Sequence, residues 1–141
     1  MDDLYSSLKV SRAISPVAIG TTGTGQTGKI IDRKGYIGPV LFDLAYGTIT
    51  ATNATHTVTV KEGDVTGTLT SVADADLIGT ESAAGLAATA TRTSGTSKNV
   101  HKKIGYKGAK RYVQINVKST VTAGTLISAN ALQRAASQPA S

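Results

Sequence analysis

The sequence predicts an all-β, single-domain protein: an antiparallel β-sandwich, jelly-roll-like or barrel, with little helix. Two observations predict this. Apolar and polar residues alternate over short runs near 40–46, 57–61 and 112–118, the two-residue period of a strand with one buried and one wet face. Turn signals fall about every ten residues and leave seven or eight short strands, as in sandwiches and barrels. Composition adds a constraint. The chain has 141 residues, 40% hydrophobic and only 4% aromatic, with no Trp and no Cys, so its core must be built from Val, Ile, Leu and Ala. Small domains of this kind, without disulfides, commonly oligomerise.

Taken in order, Leu4 to Arg12 is a first strand or an N-terminal arm, broken at Ser15-Pro16, because proline fixes φ and removes a donor. Residues 1–15 are therefore set apart as an arm, followed by a β domain over 16–134. Val17-Ala18-Ile19 is a short apolar run, and Gly20 to Gly28 a Gly/Thr loop without periodicity. Ile30-Ile31 resumes a strand, and Asp32-Arg33-Lys34-Gly35 is a turn. After Pro39, the residues Val40, Phe42, Leu44 and Tyr46 share one face, opposite Asp43, up to Gly47. Thr48 to Thr52 continues this strand weakly. Thr55 to Lys61 alternates again with Val58 and Val60 inward, and threonine suits its wet face.

Glu62-Gly63-Asp64 and Gly67 read as a polar turn, Leu69 to Val72 as a short strand, and Ala73 to Gly79 as one helical turn closed by glycine. Ser82 to Ala90 is a short helix or an irregular edge segment. A loop over Thr91 to Thr96 leads to a basic strand, Lys98 to Ile104. The turn Gly105 to Gly108 then opens the clearest strand of the chain. There Val113, Ile115 and Val117 oppose Tyr112, Gln114, Asn116 and Lys118. Thr120 to Gly124 turns the chain into a last strand, Leu126 to Leu132, and residues 135–141 are a disordered small-residue tail.

Net charge is +6, but its distribution says more. Residues 1–81 hold six Lys or Arg and all nine acids; residues 82–141 hold nine basic residues and no acid. Such a two-sided chain suits nucleic acid, an acidic protein surface, or head-to-tail contact between copies. The acidic opening Met1-Asp2-Asp3 is not followed by a signal-type apolar run. No segment approaches the roughly 18 consecutive apolar residues of a membrane helix.

Chemistry-bearing motifs are weak. Gly23 to Lys29 matches the first seven positions of a phosphate-binding P-loop, but Ile30 stands where a Ser or Thr should reach Mg²⁺, and no helix follows. His56 and His101, the only histidines, sit on strand-like runs and read as surface residues. Glu62, Asp64, Asp74, Asp76 and Glu81 lack the spacing of a calcium loop and read as a solvated acidic loop or the acidic half of an intersubunit contact. With no nucleophile elbow either, the sequence points away from an enzyme, with no catalytic residues, cofactor or metal. The strongest signal is basic: Lys98, Lys102, Lys103, Lys107, Lys110, Arg111 and Lys118, with Tyr106 and Tyr112 interleaved. Interleaved bases and aromatics can bind phosphate backbone. However, Lys107-Gly108 is followed by Ala109, Lys110 and Arg111, which does not fit the RNA-recognition octapeptide.

Three stretches together carry a family resemblance: Thr57 to Asp64, Leu77-Ile78-Gly79-Thr80, and Gly105-Tyr106-Lys107-Gly108-Ala109-Lys110-Arg111-Tyr112-Val113-Gln114. A strand ending in an acidic turn, an apolar-Gly-Thr step and a late Gly-Tyr-x-Gly-x-Lys-Arg-Tyr strand resemble small structural proteins of tailed bacteriophages, over roughly residues 36–118. The resemblance implies a capsid decoration (cement) protein of sandwich or jelly-roll-like fold. Such a protein would be made in the host bacterial cytoplasm and carried on the virion surface. Its partners would be the major capsid protein and itself, as a homotrimer rather than a dimer. The residues that would meet a partner are Leu4, Tyr5, Leu8 and Arg12 of the arm, and Lys102, Lys103, Lys107, Lys110 and Arg111 of the basic face. A tail or head-completion protein of similar fold is the alternative, and a nucleic-acid-binding protein comes third.

Overall fold

A computed structural model of the chain describes residues 8–19, 26–47, 55–86, 100–119 and 125–135. These build two antiparallel sheets laid face to face, the expected β-sandwich. The strands are β1 (Leu8–Ile19), β2 (Gln26–Thr27), β3 (Ile31–Asp32), β4 (Tyr36–Tyr46), β5 (His56–Val65), β6 (Thr68–Ser71), β7 (Leu77–Ile78), β8 (Val100–Tyr106), β9 (Tyr112–Ser119) and β10 (Thr125–Ala135). Sheet I runs β1-β10-β4-β8-β7; sheet II runs β2-β9-β5-β6, with β3 also paired to β9.

The alternation read from the sequence sets the core. Val40, Phe42, Leu44 and Tyr46 of β4 are buried, as are Ile104 and Tyr106 of β8 and Ile127, Ala129 and Ala131 of β10. Sheet II answers with Val58 and Val60 of β5 and with Val113, Ile115 and Val117 of β9. Together they form one continuous cluster between the sheets, and its largest fully buried side chains are Tyr46, Tyr106 and Phe42, so the core is not the purely aliphatic one expected from the composition. Ala129 and Ala131 let the flanking Phe42 and Leu44, their register partners, reach across. Gly28 and Lys29 stitch the layers: the Gly28 N–H donates to Ile115 O at 2.7 Å and the Lys29 N–H to Ala13 O at 2.6 Å.

Several boundaries differ from the sequence reading, each for a physical reason. Pro16 does not end the first strand. β1 runs through it as the edge strand of sheet I, with register shifts between Arg12 and Ile14 and between Ile14 and Val17. An edge strand tolerates a proline because its outer N–H groups have no ladder partner. Residues 8–15, assigned to an arm, are therefore sheet; Leu4 and Tyr5 lie outside the described residues. Glu62, Gly63 and Asp64 are not a turn but the end of β5, and the hairpin bends at Thr66-Gly67. A register shift between Glu62 and Val65 accommodates them.

The helical turn near Ala73 is a short 3-10 segment, Asp74–Asp76, and Leu77–Ile78 then adds a strand to sheet I. The helix α1 (Glu81–Ala84) is a single turn, with the Thr80 hydroxyl accepting the Ala83 N–H at 2.9 Å. Ala135, placed in the tail, closes β10. Residues 20–25 of the Gly/Thr loop, the weak strand continuation at 48–52, the loop at 91–96, the turn at 120–124 and the tail residues 136–141 fall outside the described residues, and the end of the Gly/Thr loop, Gln26–Thr27, is strand.

His56 is the largest departure. It is buried rather than exposed, on the face that Val58 and Val60 share. Its ring meets Tyr46 edge-on at 5.7 Å. Its backbone exchanges two 2.9 Å hydrogen bonds with Leu86, and the Tyr46 hydroxyl donates to Ala84 O at 2.9 Å. Burial pushes the Tyr46 phenol pKa far up.

Candidate docking face

Of the nine residues expected to meet a partner, the seven that are described do not form one surface. Lys107, Lys110 and Arg111 lie in the β8–β9 connection, where the Gly-Tyr-x-Gly-x-Lys-Arg-Tyr stretch is a structural corner. Tyr106 is fully buried, and its hydroxyl donates to Glu62 Oε1 at 2.9 Å and accepts the Lys110 N–H at 3.0 Å. Gly108 packs on that ring: a Cβ there would meet the Tyr106 Oη at 2.5 Å and Cζ at 2.7 Å. The Arg33 guanidinium stands 5.1 Å over the same ring and donates to Lys110 O at 2.6 Å.

Outside the corner, Lys110 Nζ pairs with Asp64 at 3.1 Å. Arg111 takes Asp32 with two bonds, of 2.9 and 3.0 Å, and lies 4.9 Å over Tyr112. These hydrogen bonds, helped by the Lys34 N–H, hold the Asp32 carboxyl at about 2, and Lys110 draws Asp64 down likewise. Lys110 and Arg111 thus fasten the corner to β5 and β3. Lys107 remains an exposed cation at its tip.

Several acidic residues of the first half are used in the same way. Besides Asp32, Glu62 and Asp64, Glu81 reaches from α1 to accept the Val60 N–H at 2.7 Å. Asp43 faces His101 at 3.1 Å. Among the described residues, no group of three His, Asp or Glu side chains is placed to hold a metal ion. The stretch that resembles a P-loop contributes β2 and the stitch at Gly28-Lys29, and no helix follows it.

Of the other described candidates, Leu8, Arg12 and Lys103 lie on the outer face of sheet I. Cross-strand registry sets Val10 opposite Leu132, Leu132 opposite Leu41, Leu41 opposite Gly105, and Gly105 opposite Ile78. One apolar row therefore crosses all five strands, about 19 Å at the usual spacing between neighbouring strands. Its outward side chains are unusually bare: Val10 is 60% exposed, Ile78 48% and Leu41 36%. Gly105 keeps the row flat, since a Cβ there would meet the Ile78 side chain at 3.1 to 3.5 Å.

On one side of this row runs Arg12, Asn130, Asp43 and Lys103; on the other run Leu8, Arg134 and Ile37, the last 47% exposed. The structure thus brings together Leu8, Arg12 and Lys103, while Lys102 takes the inward-facing register beside Leu44 and is half-buried. The outer face of sheet II differs in kind: Thr27, Thr59 and Asn116 align across it, then Lys61 and Gln114, with no large apolar residue between them. The apolar residues of the first row were missed in the sequence because no strand supplies more than one.

No protein-family model matches the chain, and no curated protein matches it in sequence. Among solved structures it is similar to the CBM22-1 xylan-binding domain of Paenibacillus barcinonensis Xyn10C, at 12% identity over 92% of this chain and 83% of that one, with a TM-score of 0.45. It is also similar to the CBM22-1-GH10 modules of Clostridium thermocellum xylanase Xyn10B, at 11% identity over 90% of this chain and 24% of that one, TM-score 0.44. A third is Eiger TNF from S. frugiperda, at 9% identity over 96% and 90%, TM-score 0.37. Likenesses of this extent carry no argument about ligand or role.

Proposed function

We propose that the protein is a bacteriophage capsid decoration (cement) protein, a non-enzymatic, homotrimeric component that docks on the outer surface of the head and braces its lattice. One observation carries the docking half of this reading: the exposed apolar row of sheet I, flanked by Arg12 and Lys103. Covering such a row removes apolar surface from water at roughly 25 cal/mol per Å². Many copies on one lattice need only modest individual affinity, because linked contacts add avidity. The virion half of the reading rests on the resemblance carried by residues 57–64, 77–80 and 105–114.

Co-sedimentation of the purified protein with mature capsids lacking it tests the proposal. Saturation at hundreds of copies, in a simple ratio to the capsid subunits, is the expected result. Saturation at tens of copies or fewer would transfer the protein to a vertex or the tail. No binding would remove the virion role. Sedimentation equilibrium of the free protein checks the trimer.

A further inference from the structure

We propose that the outer face of sheet I takes a partner protein surface of defined chemistry: an apolar ridge about 19 Å long, lined on its flank by carboxylates. The inference rests on the docking reading above and names the partner that face would accept. The ridge follows from the row Val10, Leu132, Leu41 and Ile78. The carboxylates follow from the row beside it. Residues two apart on a strand share a face at a separation of about 7 Å, which puts Arg12 and Lys103 along that flank.

Neither cation has an ion partner among the described residues, and the one carboxylate in that row, Asp43, faces His101 at 3.1 Å. A second copy is a poor occupant. Meeting face to face it would bring the same cations, while Asp32, Glu62, Asp64 and Glu81 are already engaged within each chain and Asp74 and Asp76 sit in the 3-10 segment, outside both rows. Nucleic acid fits poorly too, because the row offers aliphatic side chains and no aromatic ring on which a base could stack.

The test uses the full-length protein and a defined probe. This is a 15-residue amphipathic helical peptide with a leucine stripe flanked by glutamates, about 22 Å long. The same peptide with lysines in place of the glutamates is the comparison. Titrating isotope-labelled protein, the glutamate peptide should shift amides of β4, β8 and β10 and leave β5 and β9 unmoved. Leu41→Asp should weaken it at least tenfold. The double change Arg12→Glu and Lys103→Glu should reverse the preference, so that the lysine peptide binds better. If Leu41→Asp fails to fold, Ile78→Ser reads the same row.

Equal binding of the two peptides, shifts confined to sheet II, or no binding would overturn the proposal. So would a single-stranded oligonucleotide that produces the same shifts at lower concentration, or a self-associated protein that Leu41→Asp converts to monomer. The capsid assay stays separate. Capsid binding that survives Leu41→Asp moves docking to another face and leaves the proposed role standing; peptide binding without capsid binding does the reverse.

Discussion

Asp32 and Arg111, 79 residues apart in the chain, are joined by two hydrogen bonds of 2.9 and 3.0 Å. The pair connects the acidic first half of the sequence to its basic second half, and it fixes the start of β9 against β3. Its carboxyl, held at about 2 against an ordinary 3.8, favours the folded state when charged. That contribution is present above pH 3.8 and is lost as pH falls from 3.8 to about 2. Asp32→Asn should therefore flatten the acid limb of the stability curve in that window. At neutral pH it should lower Tm by only a few degrees, because both side chains are partly exposed. Urea denaturation at pH 2, 4 and 7 for both proteins checks this.

Tyr106 has the opposite pH signature. Burial, reinforced by Glu62, pushes its phenol up to about 12 from 10.0. A phenol whose folded pKa is raised stabilises the fold fully below pH 10 and loses that contribution as pH rises from 10 to about 12. Tyr106→Phe should remove part of the alkaline destabilisation in this range. At pH 7 the variant should be about 1–2 kcal/mol less stable, since the hydroxyl no longer satisfies Glu62 and the Lys110 N–H. Absorbance titration at the tyrosinate band should show one fewer late-ionising group.

Gly108 tests whether the corner is structural. A methyl group there would press on a ring that is fully buried and cannot swing away. Gly108→Ala should cost about 1–3 kcal/mol through forced repacking. Gly105→Ala should cost less, because its neighbour Ile78 is half exposed and can move. Thermal denaturation of the two variants ranks them, and equal losses would count against the corner.

The same residues show how far the sequence could be read. Burial at 40, 42, 44 and 46, and at 113, 115 and 117, was legible because a sheet packed on one side imposes a period of two. His56 obeys that period, two steps before Val58, so its burial was encoded; the threonines around it, which face outward, disguised it. Glu62 and Asp64 looked like a turn because both are charged. Their partners, Tyr106 and Lys110, lie more than forty residues away. The apolar row of sheet I was the least legible feature. Four strands each give it one outward aliphatic and β8 gives Gly105, each locally an ordinary residue, and only the registry of five strands reveals the line.

Glu81 stands outside both sheets yet completes one. β6 is short, and next to its end the Val60 N–H is met by the Glu81 carboxylate at 2.7 Å. Val60 is fully buried, so water cannot readily replace that acceptor. Glu81→Ala should destabilise by about 1–3 kcal/mol, while Glu81→Gln, which keeps an acceptor oxygen, should restore most of the loss. Hydrogen exchange at the Val60 amide gives the local reading: fast in the alanine variant, protected in the glutamine variant.

Leu41 and Phe42 are consecutive on β4 and face opposite ways, Leu41 36% exposed and Phe42 wholly buried between the sheets. Truncating Phe42 removes ring contacts with both layers and leaves a cavity that alanines on the paired strand cannot fill. Phe42→Ala should cost about 3–5 kcal/mol. Leu41→Ala removes a side chain that touches mainly its row neighbours and water, and should change stability by less than about 1 kcal/mol. A strand shifted by one residue would exchange these outcomes, because a single-residue slip turns every side chain to the other face. Chemical denaturation of the two alanine variants therefore tests the registry of β4 directly. A large loss at Leu41 with a small one at Phe42 would remove the apolar row from the surface and, with it, the face on which docking is built.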